Sequence, residues 1–160
     1  RGDPAERRAV PSSPAPSGGG SRSEHRGDVF SFPVRVYYED TDAAGVVYYA
    51  NYLKFMERAR TEWLDHHAMP LPELERAHGV VFVVTRAEVD FRGAARLGDR
   101  LEAIVAVASG GRARLDAHQS VRRDGEVLVD ARFRLACLAR DGWKPARIPS
   151  PLARLLEHER

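Results

Sequence analysis

Residues 52–63 read YLKFMERARTEW, and this stretch decides the fold because most of its apolar side chains fall on one side of a helix. Five residues recur at steps of three and four, the spacing that makes a single stripe: Tyr52, Phe55, Met56, Ala59 and Trp63. The stripe predicts one long amphipathic helix that packs against an apolar surface elsewhere in the chain. Met69-Pro70 predicts the end of this helix, and Asn51 or a residue just before it is expected to cap the start.

Downstream of this helix the apolar period changes from 3.6 residues to 2, which predicts strands. Residues 71–78 first suit a short helix that Gly79 stops. Predicted strands follow at 80–92, 99–108, 112–123 and 126–139, a short helix follows at 150–158, and one strand with an early Pro33 precedes at 29–38. Asp124-Gly125 predicts a tight hairpin between the last two strands.

The order of these elements is one strand, a long helix and at least four antiparallel strands, which predicts the α+β class. The sheet is the one sizeable apolar surface on which the helix stripe can be buried. Most strands alternate apolar and polar residues, which suits a sheet with one covered face and one face open to water or to a partner. With 160 residues in all, the chain fits one domain over 29–160.

Composition excludes several classes of protein. Residues 1–28 are rich in Pro, Gly and Ser with a single large aliphatic residue, so we expect a disordered tail without the apolar stretch of a secretory signal. A net charge of +2 is too weak to indicate nucleic-acid binding. Cys137 stands alone, so an internal disulfide and a cysteine zinc cluster are excluded, and it is expected to be a small buried residue. No apolar run reaches the length of a membrane span, and we expect a soluble, cytoplasmic protein.

The segment that can carry chemistry is 35–52, which reads RVYYEDTDAAGVVYYANY. It places two acids beside Gly45 and runs into the helix start, where unpaired N–H groups carry about half a unit of positive charge. Such a helix end can hold a developing oxyanion, and a nearby carboxylate can act as nucleophile or general base. Asp40 and Asp42 are two residues apart and are not expected to share a role. A plain loop with favourable charge at a helix entry would show the same spacing, so the residues leave both interpretations open.

This segment resembles the signature of the 4-hydroxybenzoyl-CoA thioesterase-like family. Residues 34–48 and 52–62 carry the resemblance, which is closer still to the bacterial subgroup encoded with the Tol-Pal envelope system. Weaker similarity continues through 80–84 and 95–99 to about residue 149. The resemblance implies a hotdog fold, in which a curved antiparallel sheet of about five strands wraps a long central helix. It also implies hydrolysis of acyl-CoA thioesters to a free acid and CoA, with no metal and no cofactor.

The resemblance places the catalytic aspartate on Asp42 rather than on Asp40. The amides that polarise the thioester carbonyl fall at the start of the long helix, where the N–H of Tyr49 is the best candidate and the Gly45-Val46 backbone is a second one. The subgroup usually has His where this chain has Tyr49. The 4-hydroxybenzoyl-CoA enzymes can carry Tyr there, so the departure is compatible with activity and changes mainly the expected substrate range.

Four residues are candidates for binding the substrate: Tyr48, Asn51, Glu57 and Arg112. Glu57 has an alternative interpretation, because Arg60 lies three residues further on the predicted helix and the two side chains could simply pair. Arg112 follows Gly110-Gly111 at a strand start and is the preferred partner of the CoA phosphates. The other basic candidates for the phosphates are Arg92, Arg96 and Lys144.

The open sheet face and a groove between two subunits predict a homodimer, paired into a homotetramer. Acyl-CoA is the expected substrate, and acyl carrier protein is a further candidate partner. Two alternatives stay open. One is a hotdog dehydratase acting on hydroxyacyl thioesters, which the lack of a His near Asp42 disfavours; the other is a non-catalytic module that binds acyl thioesters or a protein.

Overall fold

One long helix, α1 (Asn51–His66), lies on one face of a five-stranded antiparallel sheet. The computed structural model describes residues 29–158, so the disorder predicted for 1–28 lies outside the described residues. The strands are β1 (Phe30–Arg35), β2 (Val80–Phe91), β3 (Arg100–Gly111), β4 (Arg114–Arg123) and β5 (Glu126–Ala139), and two short helices are α2 (Leu71–His78) and α3 (Ser150–His158). The strand order is β1-β3-β4-β5-β2, which confirms the predicted α+β class.

The predicted helix stripe is the centre of the core. Its five residues are buried, and α1 packs on β1, β3 and β4. Leu101, Ala103 and Val105 of β3 are buried beneath it, one from each alternate position of the strand. Burying a side chain such as Phe55 or Met56 contributes roughly 1.5–3 kcal/mol each, so the stripe holds the helix on the sheet.

Local turn chemistry fixes the connections between strands. Asp124 and Gly125 both have positive φ, 51° and 81°, and they join β4 to β5 as the predicted hairpin. Gly79 ends α2 in the left-handed region with φ 62°. These two turns confirm the boundaries that the sequence predicts for 71–78 and for the start of β5.

Two predictions about the first third of the chain are wrong. No side chain caps α1: its N-cap position is Ala50, and Asn51 is its first residue. The strand predicted over 29–38 ends at Arg35, because Tyr38–Asp40 form a short 3-10 turn. The Asp40 carboxylate closes this turn by accepting the N–H of Tyr37 over 2.8 Å, a local contact that competes with strand pairing.

Candidate active site

A narrow loop connects β1 to α1 and carries Asp42. Thr41 and Val47 pair across the loop, with hydrogen bonds from the Asp42 N–H to the Val46 carbonyl over 3.0 Å and from the Tyr48 N–H to the Asp40 carbonyl over 2.9 Å. Asp42 is the first residue of a turn, which a hydrogen bond from the Gly45 N–H to the Asp42 carbonyl closes. Gly45 has φ 78° in this turn. The chain thus returns on itself within a few residues and presents Asp42 at the surface.

The Asp42 carboxylate is exposed and only partly engaged. Oδ1 accepts the N–H of Ala44 over 2.9 Å, which fixes the side chain on its own turn. Within residues 29–158, Oδ2 accepts no hydrogen bond and no basic group lies within ion-pair distance of this carboxylate. Asp42 therefore keeps one oxygen available to a ligand.

Asp40 has the opposite surroundings. It is buried, and its Oδ2 accepts the Tyr37 N–H. Its main-chain carbonyl accepts both the Tyr48 N–H and the side-chain amide of Asn51, each over 2.9 Å. Asp40 is a structural anchor between the loop and α1, so the two acids differ in environment as the sequence predicts. Asn51, predicted to bind substrate, directs its amide nitrogen inward instead.

The start of α1 offers free main-chain donors. The N–H of Tyr48 is taken by Asp40 and that of Asn51 by the Tyr48 carbonyl over 2.8 Å. The N–H groups of Tyr49 and Ala50 have no acceptor in the described part of the chain. Gly45, by contrast, already uses its N–H in the loop turn. Of the predicted amides, Tyr49 is the one that is placed at the helix end and still open.

Aromatic rings surround this helix end. The rings of Tyr48 and Tyr49 lie 4.9 Å apart between centroids, and Tyr49 meets Phe91 at the end of β2 over 5.9 Å. The pKa of the Tyr48 phenol is raised, chiefly by the neighbouring Tyr49 side chain and with a smaller contribution from the Asp42 charge. Both tyrosine side chains are about half-exposed, so the start of α1 is open to a ligand.

The segment 95–99 supports the loop from its other side. The Val47 N–H donates to the Ala95 carbonyl over 2.8 Å, and Val46 pairs with Arg96. Asp99 Oδ2 accepts the N–H of Arg96 over 2.9 Å and Arg123 Nη1 over 2.8 Å, which together lower the pKa of this carboxyl. In the sequence, Arg96 was only a minor candidate for the CoA phosphates, and 95–99 carried weak family similarity. The contact between Asp99 and Arg123 has no signal there, because the two residues are far apart in the chain.

Two predicted binding residues lie away from the loop. Glu57 is exposed two turns along α1, where it accepts a hydrogen bond from Thr61 Oγ1 over 2.9 Å rather than pairing with Arg60. Arg112 follows the far end of β3, a 12-residue strand whose near end, Arg100, adjoins the loop support. At about 3.3 Å per residue the strand is up to about 36 Å long, so Arg112 lies at the opposite end of β3 from the loop support. Within one chain, Arg112 does not join this site.

Metal ligands do not converge within residues 29–158, where no group of three His, Cys, Asp or Glu side chains is placed to hold an ion. Among the helices of that part of the chain, none is long and apolar enough to cross a membrane. Cys137 is buried, and burial raises the pKa of its thiol.

Comparison with known proteins gives concordant matches. Residues 36–156 match the model of the thioesterase-like superfamily. The acyl-CoA thioesterase YbgC of Haemophilus influenzae is 40% identical over 129 residues, which are 81% of this chain and 95% of that protein.

Solved structures show the same architecture. A 1,4-dihydroxy-2-naphthoyl-CoA thioesterase from Synechocystis is similar with a TM-score of 0.75 and 25% identity, over 81% of this chain and 96% of that one. A probable thioesterase from Bartonella henselae is similar with a TM-score of 0.71 and 31% identity, over 76% of this chain and 100% of that one.

Proposed function

This chain belongs to the thioesterase-like superfamily and has the predicted hotdog fold, and we propose that it hydrolyses acyl-CoA thioesters to a free acid and CoA. The observation that carries the proposal is the arrangement of Asp42 and Tyr49. Asp42 presents an exposed carboxylate with one open oxygen on a loop that main-chain hydrogen bonds hold in place. Tyr49, two residues before the first residue of α1, has a main-chain N–H with no acceptor among the described residues.

In the proposed mechanism, the thioester carbonyl oxygen accepts a hydrogen bond from the Tyr49 N–H. The Asp42 carboxylate then attacks the carbonyl carbon, or removes a proton from a water molecule that does so. Negative charge that develops on the carbonyl oxygen is stabilised by the Tyr49 N–H and the positive end of α1. The C–S bond breaks and CoA leaves as a thiolate. If Asp42 is the nucleophile, water hydrolyses the acyl–Asp42 anhydride in a second step.

The other loop residues position these two groups. Gly45 permits the reversal of the chain, Val46 accepts the Asp42 N–H, and Asn51 ties the helix start to Asp40. Tyr48 lies beside the open site and is a candidate contact for the substrate. CoA enters as part of the substrate, and the proposal includes no metal and no further cofactor.

We further propose that the enzyme is a homodimer joined through β2. This strand is an edge of the sheet, so one row of its main-chain groups has no strand partner in residues 29–158. Exposed aromatic rings meet at the end of this strand, where Tyr49 contacts both Tyr48 and Phe91. Pairing two copies of β2 would cover them and place the substrate groove between subunits. Further pairing of dimers into a tetramer, an acyl carrier protein as donor and a cytoplasmic location are parts of the same proposal.

A thiol-release assay with a series of acyl-CoA substrates tests the proposed reaction. Free CoA and free acid are expected in equal amounts, with the acid identified by mass spectrometry. No release of CoA from aliphatic or aromatic thioesters would contradict the proposal. An enoyl thioester formed from a 3-hydroxyacyl-CoA, without release of CoA, would identify a dehydratase instead.

A further inference from the structure

A cavity lies between the middle of α1 and the inner face of the sheet. Its volume is about 230 Å³. Most of its lining is apolar and comes from α1, α2 and four strands, including Trp63, Leu64, Leu71, Phe82, Val84 and Leu135. Glu57 and Val84 are the exposed members of the lining, so the cavity opens between α1 and β2.

One cation, Arg60, reaches into this apolar lining and is held rigidly. Its Nη1 donates to Gln119 Oε1 over 2.8 Å, and Gln119 Nε2 donates to the Met56 carbonyl over 2.9 Å, which fixes the Gln119 amide. The guanidinium lies 4.7 Å from the ring centroid of Phe133. No carboxylate lies within ion-pair distance of Arg60 in residues 29–158, and burial lowers its pKa.

These contacts leave Arg60 with donors to spare. A guanidinium has five N–H donors, and the amide of Gln119 accepts only one of them. An apolar cavity with a charged donor fits an apolar group that carries an oxygen acceptor. Glu57 stands at the opening, with Oε1 accepting from Thr61 and Oε2 open, so a hydroxyl group could donate to Glu57 while it accepts from Arg60.

The cavity and the Asp42 loop lie near opposite ends of β2. Tyr49, at the start of α1, touches Phe91 at the end of β2, whereas the cavity contacts Phe82 near the beginning of β2. In one chain Arg60 is eleven residues beyond Tyr49, about 16 Å along the helix. Antiparallel pairing of two β2 strands about a two-fold axis would bring the partner's Phe91 end next to this chain's Phe82 end. The partner's Asp42 loop would then adjoin the cavity.

We propose that Arg60 is a specificity residue of the partner subunit's active site, where it selects acyl groups that carry an oxygen acceptor such as a hydroxyl. This inference rests on the proposed hydrolysis and on the proposed dimer. The acyl group runs from the thioester at Asp42 of one subunit into the Arg60 cavity of the other. Arg60 recognises the oxygen atom on the acyl group, and this feature is the same for aliphatic and aromatic acyl groups.

Paired substrates test the selectivity. Butanoyl- to dodecanoyl-CoA are compared with their ω-hydroxy forms, and benzoyl-CoA with its hydroxylated forms, by kcat/KM. We expect the hydroxylated member of at least one pair to be preferred about tenfold, the value of one hydrogen bond to a charged donor. Arg60→Met should abolish this ratio, whereas Arg58→Met, the same change at an exposed position of α1, should keep it. No preference in any pair, or a preference that survives Arg60→Met, overturns the proposal.

Mixed dimers test the contribution across subunits. Asp42→Asn and Arg60→Met proteins are unfolded, mixed and refolded together, and the preference for the hydroxylated substrate is measured. If Asp42 and Arg60 act from different subunits, each mixed dimer has one intact site and the preference returns. If they act from the same subunit, the mixture hydrolyses substrates without preference, and the assignment to the partner subunit is wrong.

A binding measurement keeps this inference separate from the proposed reaction. The chain has two tryptophans, and in Trp143→Phe protein the emission comes from Trp63, which lines the cavity. Cyclohexanol and methylcyclohexane have similar size and differ in a hydroxyl group. We expect cyclohexanol to change the Trp63 emission at about tenfold lower concentration, a difference that Arg60→Met removes. Equal binding contradicts the cavity assignment even if CoA is released, and selective binding supports it even if no thioester is hydrolysed.

Discussion

The side-chain amide of Asn51 donates a hydrogen bond to the main-chain carbonyl oxygen of Asp40 over 2.9 Å. The same oxygen accepts the Tyr48 N–H, so one carbonyl joins the 3-10 turn that precedes Asp42 to the chain that leaves the loop and to the first residue of α1. The carboxylate of Asp42 and the free N–H of Tyr49 are therefore held on one small rigid unit. Catalysis by these two groups requires that their relative position be fixed before the substrate binds.

Asn51→Leu removes this donor while it keeps the approximate size of the side chain. The free energy of unfolding should fall by about 1 kcal/mol, the value of one hydrogen bond. We expect kcat to fall by at least about tenfold because the helix start is no longer tied to the loop, with a smaller effect on KM. Steady-state kinetics and thermal unfolding measure the two effects, and Lys54→Leu, at an exposed position of the first helical turns, is the control. An unchanged kcat in the destabilised variant would limit Asn51 to a role in stability.

Substituting the two loop acids separately distinguishes their roles. Asp42→Asn keeps an oxygen that accepts the Ala44 N–H, so the free energy of unfolding should stay within about 0.5 kcal/mol. Turnover should fall about 10²- to 10⁴-fold because the neutral amide is neither nucleophile nor base. Asp40→Asn keeps the main-chain carbonyl but weakens the bond to the Tyr37 N–H, and should mainly lower stability by about 1 kcal/mol. Turnover by Asp42→Asn near that of the wild type would remove Asp42 from the mechanism.

Gly45→Ala tests whether the loop conformation is needed for activity. Gly45 has φ 78° and a Cβ there would meet no atom within 4 Å, so the cost of the substitution is backbone strain of about 1–2 kcal/mol. Gly125 in the β4–β5 hairpin has φ 81° and equally open space, which makes Gly125→Ala a matched control. Both variants should lose similar stability, but only Gly45→Ala should lose turnover. Equal turnover in the two variants would show that the loop tolerates rearrangement.

Local sequence signals predicted most of the fold. Gly79 predicts the end of α2, and Asp124-Gly125 predicts the start of β5. Both signals are local, because each lies directly beside the boundary that it predicts. The prediction of β1 was too long because the Asp40 carboxylate binds the Tyr37 N–H, a contact that no periodicity reveals. The prediction of an N-cap was wrong for a related reason, because the Asn51 side chain donates to the Asp40 carbonyl rather than capping its own helix.

The structure brings together only those candidate site residues that are contiguous in the chain. Asp42, Gly45 and Tyr49 lie within one short segment. Alternation predicted only that Asp40 and Asp42 have different roles, and the family resemblance placed the catalytic role on Asp42. The structure shows that Asp40 lies in a 3-10 turn rather than in extended chain. The contact of Arg60 with Gln119 joins residues 59 positions apart, and no pattern in either segment indicates it. The position of Arg112 relative to the loop became clear only from the structure, where β3 lies between the loop support and Arg112.

Acid should weaken the support of the loop through Asp99. In the folded chain the pKa of the Asp99 carboxyl lies below the value of about 3.9 expected in the unfolded chain. The hydrogen bond from the Arg96 N–H is the larger cause and Arg123 is the smaller one. A lowered folded pKa stabilises the protein above the unfolded pKa, and this contribution is lost as the pH falls through the folded value. Asp99→Asn should therefore reduce the free energy of unfolding by about 1 kcal/mol at neutral pH and by progressively less below pH of about 4. Chemical unfolding of both proteins across this range measures the difference, with Asp141→Asn in an exposed turn as the control; a difference that stays constant into acid would mean that the Asp99 charge does not stabilise the segment.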